Sequence, residues 1–378
     1  MSNDIVFLFD KIDPDKGLIP NLSEEPLPSS GQNTYERFLK KTFSNYKVKF
    51  KPSYFCEEES GWLYPVFINN LWFLNSVTQI ENKLPKKVQQ QIWLKKGKVI
   101  VFIYEPFFQD MEEFKKFESI ASIQTPEFIY CVMHESSIPN IIFYDSCILE
   151  RNNGHIWGVD DTHKQYLQNK EHKKFSCFLN RYYECNSRFL FLSFLEKTKI
   201  IEQIYISARN QAKDFKKYLK GRSNNVFYDS NLNFSSFEKT FNLLNIEETL
   251  EKSLIHIIFE GEIVANSDRR HISEKVYRCI EAKVPFILIS HPHALKYFRK
   301  LGFKSFPKFI NENYDKEEDQ RKRLTMIFAE IKRLSEIPFD QLEKQIQELK
   351  PIFDHNLKIL NDNHTKTQNN IYRILNGT

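Results

Sequence analysis

The first half of the chain carries short, continuous apolar runs set between longer mixed segments. Lys98 to Tyr104 (KVIVFIY), Phe128 to Met133 (FIYCVM) and Asn140 to Tyr144 (NIIFY) are dominated by β-branched and aromatic residues. Strands buried on both faces read this way, whereas a sheet with one wet face alternates. Asp4 to Phe9 is a shorter run of the same kind, and Asp110 to Ala121 has the spacing of a helix. Strands separated by helices predict a parallel sheet covered on both faces. Pro14 to Gln32 is rich in Pro, Ser and Gly and reads as an irregular loop.

The pattern breaks between residues 150 and 172. Glu150 to Lys174 is polar, with three His and few aliphatics, as an interdomain linker is. A second alternating series follows. Lys174 to Leu179, Ile204 to Ser207, Leu254 to Glu260 and Pro285 to Ser290 read as strands. Ser187 to Thr198, Ser273 to Lys283, His293 to Leu301 and Arg321 to Ser335 read as helices. The tail from Pro338 places Leu342, Ile346, Leu349, Phe353, Asn356 and Leu360 on one heptad-like stripe. That stripe is expected to dock on the body rather than to pair with a second copy. The expected domains are 1–165, an α/β domain, 172–335, a second α/β domain, and 336–378, a helical extension.

Length and composition agree with two globular domains. The 378 residues are 41% hydrophobic and 27% charged. No run approaches the length of a membrane span, and the acidic N-terminus is not a secretory signal. The six cysteines lack CxxC spacing and read as reduced thiols, so a cytoplasmic protein without a metal site is expected. With 10 glycines there is neither GxGxxG nor a Walker loop, which argues against a Rossmann dehydrogenase or a P-loop kinase. The net charge of +5 permits a polyanionic partner without requiring one.

The richest chemistry lies between Ile255 and Ile289. A buried strand ends at Glu260, and a polar loop holds Asp268, Arg269, Arg270 and His271. Ser273-Glu274-Lys275 then opens a helix, with Ser273 as N-cap. A helix N-terminus beside a lysine suits a phosphate, and Glu274 could accept from sugar or ribose hydroxyls. The competing reading is purely local: Ser273 caps, Glu274 complements the helix dipole and Lys275 is solvated.

Phe259-Glu260, a loop, Ile272-Ser273-Glu274-Lys275-Val276, a helix and Val284-Pro285-Phe286-Ile287-Leu288 resemble the donor-binding signature of the α-1,3-fucosyltransferase family. The resemblance covers about 35 residues well and 174–335 loosely. It implies a GT-B-like fold, two Rossmann-like domains facing a cleft, with the nucleotide sugar held by the C-terminal one. It implies that Lys275 meets the donor diphosphate and Glu274 the donor hydroxyls. An arginine after the first strand of that domain is implied as well. Arg181 matches by position and Arg188 is the second candidate. Glu260, Arg270 and Ser273 complete the donor-side set. Gly261 replaces the family's Asn and Ser273 its Thr, so the donor sugar stays open. Leu301 to Tyr314-Asp315 also looks like a group of phage-encoded proteins with the same Ser-Glu-Lys element, which would place the chain in a host cytoplasm.

The resemblance leads to the expectation of a glycosyltransferase that inverts without a metal. The donor would be a UDP- or GDP-sugar, and the acceptor a hydroxyl of a glycan, a small molecule or a modified DNA base. Its base would come from the first domain, where Glu105, His134 and Glu135 follow strands; Asp145, His155 and His163 are weaker candidates. His291 and His293, flanking Pro292, could touch the base or sugar of the donor. The alternative is a non-catalytic nucleotide-binding or structural protein that keeps the same fold.

Overall fold

The computed structural model describes residues 4–9, 12–13, 17–18, 39–40, 43, 47–58, 60–68, 80–82, 84–103, 111–124, 126–132, 136–143, 171–179, 186–207, 246–260 and 272–376. The chain divides into two units, 1–159 with 361–378, and 160–360.

In the first unit β1 (Asp4–Phe9), β4 (Lys47–Pro52), β5 (Trp62–Ile68), β6 (Gly97–Ile103), β7 (Phe128–Val132) and β8 (Ile141–Phe143) form one sheet. Its order is β4-β1-β5-β6-β7-β8, and every pairing is parallel. A separate two-residue ladder joins β2 (Ile12–Asp13) to β3 (Gly17–Leu18). Helices α1 (Lys86–Trp93) and α2 (Met111–Ile123) run between strands. Phe114, Phe117 and Ala121 recur at helical spacing on α2 and are buried, with Phe117 edge-on to Tyr130 of β7 at 5.4 Å. Trp62 is fully buried and lies against Gly97, its partner in the register. A Cβ at Gly97 would come within 2.2 Å of the indole, so only glycine fits beneath this ring.

Two strands here go beyond the runs singled out in the sequence. β4 (KVKFKP) sits at the sheet edge, where alternating lysines discourage further pairing. β5 (WLYPVFI) is internal despite Pro65, which can donate no ladder bond. Its registered pairing to β1 is a single step, Phe7 with Leu63.

In the second unit β9 (Lys173–Phe178), β10 (Ile204–Ser207), β11 (Ser253–Phe259) and β12 (Phe286–Ile289) form a parallel sheet, ordered β10-β9-β11-β12. The chain thus winds outward from β9 in both directions, which makes a topological switch point between β9 and β11. Open α/β sheets bind ligands beyond the carboxyl ends of the strands at such points. The fold is α/β with two parallel sheets and a helical C-terminal region, as the sequence pattern predicts.

Helix α3 (Asn186–Lys197) covers one face of this sheet, with Phe191 against Phe259 at 5.0 Å. After α4 (Ile246–Glu251) and β11 comes α5 (Glu274–Ala282), which buries Val276, Tyr277, Cys279 and Ile280. Then follow α6 (Ala294–Lys300), α7 (Gln320–Glu336), α8 (Phe339–Gln347) and α9 (Lys350–Asn376). The tail stripe docks: Leu342, Leu349, Phe353, Asn356 and Leu360 are buried. It is cut into two helices at Glu348–Leu349, just before Pro351, whose fixed φ and missing N–H suit a first turn. Phe353 packs on Phe306 at 5.9 Å, a contact within the second unit. Asn356 acts as a short strand toward Lys304, accepting from its N–H at 2.7 Å and donating to its C=O at 2.8 Å.

No helix is long and apolar enough to cross a membrane among the described residues. Cys56, Cys131, Cys177 and Cys279 are buried and in no disulfide among the described residues, and burial pushes the thiols of the last three well up.

Candidate functional site

β11 delivers Glu260 to the carboxyl end of the sheet, beside the switch point. Its carboxylate is 3% exposed, and burying a charge this deeply requires partners. They come from the start of α5. Glu260 Oε1 accepts from the Ser273 hydroxyl at 2.7 Å and from the Ser273 backbone N–H at 3.3 Å. Glu260 Oε2 lies 3.5 Å from the Lys275 ammonium.

Ser273 serves two partners at once. Its extended backbone (φ −81°, ψ 169°) precedes the helix, and its hydroxyl accepts from the Lys275 N–H at 3.4 Å as an N-cap. Lys275 Nζ donates to the same hydroxyl at 3.3 Å and stands 3.7 Å from Glu274 Oε1. The strand-end acid, the cap and the lysine therefore form one cluster, as their order in the sequence suggests. Lys275 is 28% exposed and Glu274 14%, so the cluster opens toward solvent through them. Two carboxylates around one ammonium give these side chains a formal charge of −1, from one Lys and two Glu.

Behind this cluster lies His256 of β11. Its Nδ1 shares a hydrogen with Ser176 Oγ at 2.7 Å, and Ser176 Oγ with Ser253 Oγ at 2.6 Å. Phe178 packs on its ring at 4.9 Å. Burial, reinforced by the positive charge of Lys275, holds its pKa down at about 3. The imidazole is thus neutral at ordinary pH. The sequence gives no local sign of this cross-strand pair, because Ser176 and His256 are 80 residues apart and meet only through the register of β9 with β11.

Arg188 is buried in the first turn of α3. Its charge acts on Cys177, whose place in the register puts it on the face that carries Ile257 and Phe259, toward α3. His291 Nδ1–H donates to the Pro292 carbonyl at 2.8 Å. His293 takes a left-handed conformation (φ 63°) and pairs with Glu318 at 2.9 Å. Glu105, His134, Glu135, Arg181 and Arg270 lie outside the described residues, as do Asp145, His155 and His163. No group of three or more metal-ligating side chains occurs among the described residues.

Asp315 accounts for the next helix start. It accepts from the N–H groups of Leu295 and Lys296 at 2.8 and 3.0 Å, and Arg299 binds both Asp315 and Glu312. A buried carboxylate fills that N-terminus, so the Leu301 to Asp315 stretch is a structural brace.

No protein-family model matches the chain, and no curated protein matches it by sequence. Among solved structures it is similar to an α1,3-fucosyltransferase determined with GDP, at 10% identity and a TM-score of 0.38, over 99% of this chain and 91% of that one. It is also similar to the glycotransferase of kitacinnamycin, at 9% identity and a TM-score of 0.41, over 99% of this chain and all of that one. Likenesses this loose say nothing of activity, which has to come from the residues.

Proposed function

We propose that the chain is a glycosyltransferase whose second unit binds a nucleotide-diphosphate sugar, UDP- or GDP-linked, at the carboxyl edge of its sheet. The observation that carries this reading is the convergence of Glu260, Ser273 and Lys275 at a topological switch point. A buried acid fixes the cap, and the cap fixes the first turn that presents Lys275 and Glu274. In this reading Glu274 holds donor hydroxyls and Lys275 faces the diphosphate. The cluster's formal charge of −1 leaves the diphosphate short of positive charge. The reading therefore also needs arginines, for which Arg181, Arg188 and Arg270 are the candidates.

The acceptor hydroxyl would attack the anomeric carbon as the bond to the diphosphate oxygen breaks. The acceptor's proton would pass to a base from Glu105, His134 or Glu135, with inversion at that carbon. Side-chain cations would stabilise the departing diphosphate. The acceptor is a glycan, a small molecule or a modified base in DNA, and the fucosyl or hexosyl nature of the donor belongs to the same proposal.

A second reading, a nucleotide-binding or structural protein without turnover, draws on one observation: Lys275 already has two carboxylates within 4 Å. A thermal-shift panel of UDP-, GDP-, ADP- and CDP-sugars tests the first reading. A ligand at about a hundred times its Kd adds about 2.7 kcal/mol to stability, so a binding donor raises Tm measurably. No shift with any of the four would contradict it.

A further inference from the structure

Ser290 lies just beyond β12, at the same edge of the sheet as Glu260. Phe259 pairs with Ile289, and the Glu260 N–H donates to the Ile289 carbonyl at 3.0 Å. That register sets Glu260 and Ser290 side by side on adjacent strands. Side chains alternate along a strand, so both belong to the face that carries His256 and Leu288. Ser290 is 3% exposed, and its hydroxyl has no hydrogen-bond partner among the described residues. Buried hydroxyls in folded chains are nearly always paired, and an orphan at a candidate ligand edge points to a partner that arrives with the ligand.

The neighbouring groups narrow what that partner is. Of the two carboxylates here, Glu260 and Glu274, the more exposed Glu274 already supplies acceptors for sugar or ribose hydroxyls. Their excess negative charge over Lys275 disfavours a phosphate oxygen beside Ser290. A serine hydroxyl is a neutral group able to donate to a carbonyl or ring nitrogen. We propose that the Ser290 hydroxyl hydrogen-bonds the nucleobase of the bound nucleotide and so sets which nucleotide is preferred. This rests on the nucleotide-sugar reading above.

The test is calorimetric titration of the full chain and of Ser290→Ala with UDP, GDP, ADP and CDP. The wild type is expected to prefer one base. Ser290→Ala should lose about tenfold in affinity for that nucleotide, as for one neutral hydrogen bond, and far less for the others. Its Tm should stay unchanged or rise, because the hydroxyl has no partner to lose. Equal losses for all four nucleotides, or no loss for any, would overturn the proposal while leaving the nucleotide-sugar reading intact. A lower Tm for Ser290→Ala would overturn it too, by showing that the hydroxyl is satisfied within the chain. If the wild type binds none of the four, the nucleotide-sugar reading itself fails and this assignment falls with it.

Discussion

Glu260 accepts two hydrogen bonds from Ser273, one from its hydroxyl and one from its backbone N–H, across 13 residues of chain. One contact thus ties the end of β11 to the start of α5. Ser273→Ala would remove the cap and strip the buried carboxylate of its shortest bond. The expected loss is about 2–3 kcal/mol, from roughly 1 for the cap and 1–2 for the under-satisfied acid. Urea unfolding measures it, and an unchanged midpoint would show that the cap does not hold the helix.

His256 should make stability depend on acid. Its folded pKa, about 3, lies below the usual 6.5, so the unfolded chain binds the proton more readily. Above pH 6.5 both states are neutral and the group is silent. Between 6.5 and about 3 its contribution falls with pH, by up to about 1.4 kcal/mol per unit. Below about 3 the native state takes the proton as well and the slope ends. His256→Asn keeps a polar partner for Ser176 without titrating, and it should flatten this limb of the stability curve. Parallel curves for the two proteins would show that His256 is not held neutral.

Gly97→Ala should destabilise the first unit through Trp62. The added methyl meets the indole at 2.2 Å in a fully buried place, so strand or ring must shift. Overpacking of this kind costs about 1–3 kcal/mol. Thermal melts followed by tryptophan fluorescence would register it, and a melt identical to wild type would contradict the contact.

Asn356→Ala should loosen the tail. The substitution removes both hydrogen bonds to the Lys304 backbone, at about 0.5–1.5 kcal/mol each. Asn356→Asp should also be worse than wild type, because it cannot donate to the carbonyl. Limited proteolysis after residue 338 would report the loosening.

Much of the fold is legible in the chain because its strands are uniformly apolar. KVIVFIY and PFILIS can only be buried on both faces, and the segments between them have helical spacing. β5 escapes that reading because Pro65 interrupts its run, and β4 because its lysines suit an edge. The site is legible where it is local in sequence. Ser273-Glu274-Lys275 names its own cap, and a strand-end acid 13 residues earlier is within reach of the loop. Ser290 and His256 escape because their character is tertiary. A serine becomes an orphan, and a histidine neutral, only once neighbouring strands have closed over them.

The most direct measurement is release of nucleoside diphosphate from the sugar nucleotide that the chain binds, with water as acceptor, in wild type, Lys275→Ala and Glu274→Ala. Because Lys275 also neutralises Glu260, the double variant Lys275→Ala with Glu260→Gln serves as a folded control free of an unpaired buried charge. Wild type should release the diphosphate. Lys275→Ala and the double variant should slow release about 100- to 1,000-fold with donor affinity little changed, as expected for a charge that meets the leaving group in the transition state. Glu274→Ala should instead weaken donor binding by about 1.5–3 kcal/mol and alter turnover less. A folded Lys275→Ala with undiminished binding and release would contradict the account and leave Ser273, Glu274 and Lys275 as the capped start of a helix.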